Sequence, residues 1–364
     1  MKNFFMTHTH AAALIISTMF VGFALGEETL DQIKQKADSS NTHCQAVLGS
    51  IYRNGEMGVK KDYIAALKYL VPAEKNHDGL ARAEIGAMYE KGQIVNKDKA
   101  RAERFYVAAI PALQKLAAEG DARSEYWLGQ LYSTGSGGLQ SNIVTAVEWF
   151  KKSANHNYAG GQTAFGQCYL QGIGVAKNKK KGFKWLATAA KQESMDALWK
   201  LGQCYETGDG VSKDPQKAFD LYTRGAEQGS SFAQMFLGYA YLHGLTGEKD
   251  YEEALRWITK AVEAGLPSGL QLLLAQEQIP ILQATIGSNY ATKKKEKQAA
   301  EFLFKALKSP STNAIELVKE FLAADELKEY APNLKSYLTT LENGQPIVQA
   351  ETTGPSKKNT ATIR

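Results

Sequence analysis

Four histidines beyond the N-terminal segment (His43, His77, His156, His243) and three cysteines (Cys44, Cys168, Cys204) are the residues of this 364-residue chain best suited to metal or nucleophilic chemistry. Their spacing supports neither. Structural zinc sites use Cys or His pairs a few residues apart, and no pair of these histidines has that spacing, nor does a cysteine or acidic cluster complete one. A Ser-His-Asp or Cys-His group assembles in space and is not excluded by spacing. No G-x-S-x-G turn, phosphate loop or dinucleotide fingerprint supports one, however. Carboxylate pairs such as Glu252-Glu253 fall on charged helix faces, where solvation accounts for them. Three cysteines cannot all pair internally, and each reads as a small buried apolar residue. No catalytic residue, metal or cofactor is therefore expected, and an enzyme is the minority reading. A different set suits binding: the aromatic and amide residues Tyr126, Gln130, Gln167, Trp199 and Gln203, followed by Met235 and Tyr239. Amides can bond an extended peptide backbone, and aromatic rings give contact area at low entropy cost.

The elements that would position these residues are periodic. A Leu-Gly-x-x-Tyr-x-x-Gly core, with Ile or Phe sometimes replacing Leu, recurs six times. Its first glycines are Gly49, Gly86, Gly129, Gly166, Gly202 and Gly238, which lie 37, 43, 37, 36 and 36 residues apart. A second landmark keeps nearly the same step: Asp62, Asp98, Asn142, Asn178, Asp214 and Asp250 are each suited to cap a following helix. Four residues after each cap sits a small residue (Ala66, Ala102, Ala146, Gly182, Ala218, Ala254), and seven after it a large one (Tyr69, Phe105, Trp149, Trp185, Leu221, Trp257). Positions three apart share a helix face, so the small slot should admit a neighbouring helix and the large one fill the gap beside it. A fixed period in the thirties predicts an all-α, right-handed α-solenoid of stacked antiparallel helix pairs with 36-residue repeats.

The cleanest copy, Leu201-Gly202…Tyr205…Gly208-Asp-Gly210-Val211…Asp214, and the ending Trp257-Ile-Thr-Lys260-Ala261 resemble the Sel-like repeat family, relatives of the tetratricopeptide repeats. The resemblance covers residues 41–265. It weakens at the second, third and sixth turns, where Gly92-Gln-Ile-Val95, Gly135-Ser-Gly-Gly-Leu139 and Gly247 depart from the Gly-Val pattern. It implies a scaffold that binds other proteins, and it implies no fixed catalytic centre. Secreted bacterial members keep an alternative open, an envelope enzyme or a peptidoglycan or other cell-wall ligand-binding protein. In tetratricopeptide arrays the first helix of each pair lines the concave surface. By that analogy, residues two before and two after the Leu slot face the groove. They are Ala46 and Ser50, Ala83 and Ala87, Tyr126 and Gln130, Thr163 and Gln167, Trp199 and Gln203, and Met235 and Tyr239.

The remaining segments complete the expected organisation. Residues 1–26 read as a secretory signal: Lys2 is the only charge, Ala11 to Leu25 is mostly apolar, and Ala24-Leu25-Gly26 forms a small-x-small cleavage site. The alternative, a single membrane anchor, is disfavoured because the run is shorter than the ~20 residues of a span. Residues 27–40 are expected to cap the first repeat, 266–342 to form divergent helical units, and 343–364 to be a disordered tail. Pro111 is expected to kink an extended second helix, Asp98 to Ala118, and Pro280 to interrupt a first helix that opens at Leu270 and lacks the Gly-x-x-Tyr core. Lysines cluster at Lys177 with Lys179–Lys181 and at Lys293–Lys295, but no aromatic residues interleave with them as a nucleic-acid platform requires. The expected protein is thus exported, periplasmic or secreted. It has a protein or peptide partner, no nucleic-acid partner and no transmembrane segment after cleavage.

Overall fold

The computed structural model describes residues 28–342, apart from 94, 267–269, 293–295, 309–310 and 324–330. The expected signal segment, the Lys293–Lys295 run and the expected C-terminal tail lie outside the described residues. Those described form seventeen α-helices and no strand. The chain divides after Gly229 into two compact units.

Unit 1 begins with α1 (Leu30–Asp38), held by a Thr29–Gln32 capping box. It buries Ile33 and Ala37. Five helix pairs follow: α2 (Thr42–Asn54) with α3 (Tyr63–Lys75), α4 (Gly79–Lys91) with α5 (Lys99–Ala118), α6 (Ala122–Thr134) with α7 (Ile143–Asn155), α8 (Ala159–Gln171) with α9 (Lys179–Lys191), and α10 (Met195–Thr207) with α11 (Pro215–Glu227). Unit 2 opens with the sixth pair, α12 (Ser231–His243) and α13 (Tyr251–Glu263).

The repeated landmarks explain how each pair is made. The six Asp and Asn residues are the N-caps of the second helices, their side chains accepting from backbone N–H groups of the first turn. The backbone N–H of the same cap donates to the carbonyl of the core Tyr, from Asp62 to Tyr52 (2.9 Å) through Asp250 to Tyr241 (3.1 Å). That bond closes the loop between paired helices. The loop starts where the first helix ends on a left-handed residue, such as Gly208 at φ 81°, a conformation glycine adopts without Cβ strain.

Packing inside each pair centres on the core glycine. A Cβ at Gly49 would lie 2.5 Å from Leu70, one at Gly129 2.5 Å from Phe150, one at Gly202 2.6 Å from Tyr222, and one at Gly238 2.6 Å from Ile258. The small residues four after the cap are all buried, as expected. Leu221 and Trp257 fill the large slot buried, as expected, but in the first four pairs the buried large residue comes one position later. Tyr69, Phe105, Trp149 and Trp185 are only half-buried, whereas their successors Leu70, Tyr106, Phe150 and Leu186 are buried. The residue eight after the cap continues the face of the small residue by one full turn, directly under the glycine. The seventh stands to one side and stacks on the first helix, as Tyr69 does on Tyr52 at 5.9 Å between ring centres.

The longer second interval is taken up by α5, one helix of 20 residues that runs through Pro111. It is gripped at that point: a Cβ at Gly79 would lie 2.7 Å from the Leu113 nitrogen and 2.9 Å from the Ala112 Cβ. Beyond the sixth pair, α14 (Leu270–Thr292) likewise continues through Pro280, correcting the expected interruption. It pairs with α15 (Glu296–Lys308), and α16 (Thr312–Ala323) and α17 (Ala331–Glu342) follow. In α14 a Cβ at Gly287 would lie 2.7 Å from Leu303 and 3.1 Å from the Ala299 carbonyl. Glycine, small residue and large residue therefore meet as in the other six pairs. The expectation that this region lacks the Gly-x-x-Tyr core is corrected: Ile286-Gly287-Ser-Asn-Tyr290 supplies it without the closing glycine, displaced by the extra length of α14.

Candidate functional site

In unit 1 the first helices of consecutive repeats pack directly on one another, α2 on α4, α4 on α6, α6 on α8 and α8 on α10. They form the inner row, and their facing side chains define the site. At the N-terminal end that row is joined by a polar network. The Arg53 guanidinium on α2 donates to Glu84 on α4 at 2.7 Å and to Gln93 at 3.1 Å. Glu84 is 1% exposed and also accepts from the Ser50 hydroxyl (2.7 Å) and the Trp127 indole (3.0 Å). Such a carboxylate stays buried only because each acceptor site is filled.

A second ion pair bridges residues far apart in sequence. Arg123 on α6 donates to Glu56, in the turn of the first repeat, at 2.6 Å. It also donates to Ser50 at 3.0 Å and lies 4.7 Å over the Tyr158 ring. The Tyr158 hydroxyl, at the start of α8, donates to Glu56 at 2.9 Å. The adjacent Gly55 packs against the Met195 methyl at the start of α10. The first turn thus reaches repeats three, four and five, so unit 1 curls far enough for its first repeat to touch its fifth.

Next to this contact lie Lys61, Lys91 and Asp196. The Lys61 stem packs over Gly55, where a Cβ would lie 3.0 Å from the Lys61 Cγ. The Arg53 guanidinium pushes the Lys91 ammonium down to about 8, helped by crowding within the concave interior and by Lys61, with Asp196 and Glu84 opposing. Crowding, with Arg53, also lowers Lys61 against the pull of Asp196. Both lysines nevertheless remain exposed to water. Burial, with the Asp196 charge, pushes the Tyr126 phenol up to about 12.

The residues expected at the groove fall into different settings. Tyr126 is half-buried; its hydroxyl accepts from Gln130 at 2.6 Å and its ring meets the Tyr158 ring edge-on at 5.5 Å. Gln167, Trp199 and Gln203 are half-buried on α8 and α10, with the Lys200 ammonium 4.0 Å over the Trp199 ring. Tyr239 is half-buried in unit 2. Met235 is 3% exposed, packed with Ala254 and Ile258, so its expected groove-facing role is corrected: the side chain offers no surface. Ala46, Ser50, Ala83, Ala87 and Thr163 are buried too. At the first repeats the inner positions are closed by small residues and by the network.

Sequence reasoning missed Arg53, Glu56, Glu84, Arg123 and Tyr158. The available signal was Glu84, a carboxylate directly before the core Ile85, where the first and third repeats carry Val47 and Trp127. It also missed His43, whose Nδ1 lies 3.0 Å from Asp78 and whose Nε2 lies 3.4 Å from Asp121. Those aspartates cap α4 and α6, so one imidazole joins three repeats. The three cysteines are buried free thiols. Among the described residues no group of three or more His, Cys, Asp or Glu is placed to hold a metal, and no helix is long and apolar enough to cross a membrane.

This architecture defines an α-solenoid of tetratricopeptide-like helix pairs, with a polar inner row and long glycine-bearing turns. The Sel1 repeat model matches residues 42–76, 79–110, 122–158, 160–194, 196–230 and 231–266, and the chain belongs to the Sel1 repeat family. Among solved structures it is similar to a Sel1 repeat protein from Oxalobacter formigenes, with 30% identity over 66% of this chain and 88% of that one and a TM-score of 0.44. It is also similar to c5321, a protective antigen of uropathogenic Escherichia coli displaying an SLR fold, with 25% identity over 85% and 71% and a TM-score of 0.39. A mouse protein, DAP3-binding cell death enhancer 1, is 30% identical over 124 residues. That stretch is 34% of this chain and spans only 22% of the mouse protein.

Proposed function

We propose that this chain, whose repeat fold generally serves as a protein–protein interaction scaffold, is non-catalytic, is exported to the periplasm or secreted, and binds an extended peptide segment of a partner protein on the inner row of unit 1. The observation that carries the reading is the row of half-buried aromatic and amide side chains, Tyr126, Gln130, Gln167, Trp199 and Gln203, on consecutive first helices. It stands beside a polar network that ties α2, α4 and α6 to the start of α8, and a cross-braced surface loses little entropy on binding. Export is supported by the apolar run and small-x-small site of residues 1–26.

The test is affinity capture by the full mature chain and by Trp199→Ala/Gln203→Ala, with helix content checked by circular dichroism. A partner recovered by the first and lost by a folded double variant supports the inner row, at a cost of ~2 kcal/mol or more for an aromatic anchor. Equal recovery moves the contact surface elsewhere. An unfolded double variant makes Trp199 a core residue and removes the reading.

A further inference from the structure

We propose that Lys61 and Lys91, on the inner face of unit 1, form a recognition site for an aspartate or glutamate side chain of an extended acidic peptide. The inference rests on the inner row being the partner-binding surface, and it adds the partner's chemistry.

Four cations from the first three repeats meet at this face, and two of them are matched. Arg53 is paired with Glu84, and Arg123 with Glu56. Among the described residues, the Lys61 and Lys91 ammonium groups find no ion-pair or hydrogen-bond partner. They are exposed to water, but on the inner face of unit 1 rather than on an open convex surface. Lys61 is pinned over Gly55 beside Met195, and Lys91 ends α4 close enough to Arg53 and Lys61 for repulsion to weaken its hold on its proton. Like charges gathered in a concave space, with no counter-charge in contact, form a site whose energy falls when an anion enters.

With both arginines neutralised by their glutamates, the ammonium groups of Lys61, Lys91 and Lys200 share one carboxylate, Asp196. The positive charge in excess calls for an anion. The neighbouring Tyr126–Gln130 pair suits a peptide. Gln130 spends an amide N–H on the Tyr126 hydroxyl, and its amide oxygen is of the type that accepts a backbone N–H.

A pH signature follows. Lys91 faces Arg53 from α2, Lys61 from the first turn, Glu84 from its own helix and Asp196 from α10. Of these, Lys91 is the group held near 8. A bound carboxylate raises its proton affinity, so peptide affinity is level below pH 8 and falls as pH rises above it.

The experiment uses the full chain and a fluorescein-labelled, C-terminally amidated ten-residue peptide alternating Glu and Ala, with its Gln counterpart. At pH 7 the Glu peptide should bind about tenfold more tightly or better, the order of a charge-assisted contact. Lys61→Gln/Lys91→Gln should abolish that preference, Lys61→Arg/Lys91→Arg should retain it, and Lys180→Gln/Lys184→Gln on α9 should leave it unchanged. Raising the pH to 9.5 should weaken binding to the wild type and not to Lys91→Gln. A Glu preference that survives in the folded double Gln variant overturns the site. Displacement of the peptide by 10 mM inorganic phosphate, or binding only of a free-acid peptide terminus, overturns the side-chain carboxylate as ligand. If capture still depends on Trp199 and Gln203 while the acidic preference is absent, this proposal fails and the scaffold reading stands.

Discussion

His43→Gln should destabilise the first three repeats most at pH 6 and hardly at all at pH 10.5. Burial alone would lower the affinity of this imidazole for its proton, but the hydrogen bonds and charges of Asp121 and Asp78 outweigh it and raise the pKa from 6.5 to about 10. The same contact draws the Asp121 carboxyl down, although burial acts against it. The folded protein therefore holds this proton more tightly than the unfolded chain. The stabilisation is complete below pH 6.5 and lost between 6.5 and about 10. Linkage puts its ceiling at ~5 kcal/mol. Two buried carboxylates left with their N-cap contacts alone point to a loss of about 3 kcal/mol. Hydrogen exchange of the α2, α4 and α6 amides, read by mass spectrometry, scores only the repeats that His43 joins. The gap in opening free energy between wild type and variant should narrow steadily from pH 6 to pH 10.5. A gap of the same size at both ends would mean that His43 acts through packing and that the charge argument is wrong.

Two further outcomes test the packing. Gly129→Ala should cost about 2 kcal/mol, because its Cβ would lie 2.5 Å from the buried Phe150 ring and overpacking exceeds the gain in helix propensity. Gly247→Ala, with nothing within 4 Å, should melt like wild type. Leu186→Ala should cost about 3 kcal/mol through the cavity it leaves, since Leu186 is 0% exposed. The neighbouring half-buried Trp185→Ala should cost clearly less in the same thermal melt; the reverse order would restore the seventh residue as the core position.

The helix pairs were legible in the amino-acid sequence because each depends on contacts within about 36 residues. The capping Asp and Asn residues, the left-handed glycines and the small slot under each core glycine act locally, so a one-dimensional period reveals them. The same reading placed the buried large residue one position early in the first four copies, because positions seven and eight after the cap are both large in every copy and only three-dimensional packing chooses between them. It passed over Ile286-Gly287…Tyr290 because the longer α14 carries that core out of step. The inner face was decided by tertiary structure alone. Small rotations between successive repeats accumulate until Glu56 meets Tyr158, 102 residues away, and Gly55 meets Met195. No spacing rule carries that curvature. It closes the N-terminal positions that the tetratricopeptide analogy assigned to an open groove, and it gathers Arg53, Lys61, Lys91 and Asp196 onto one surface.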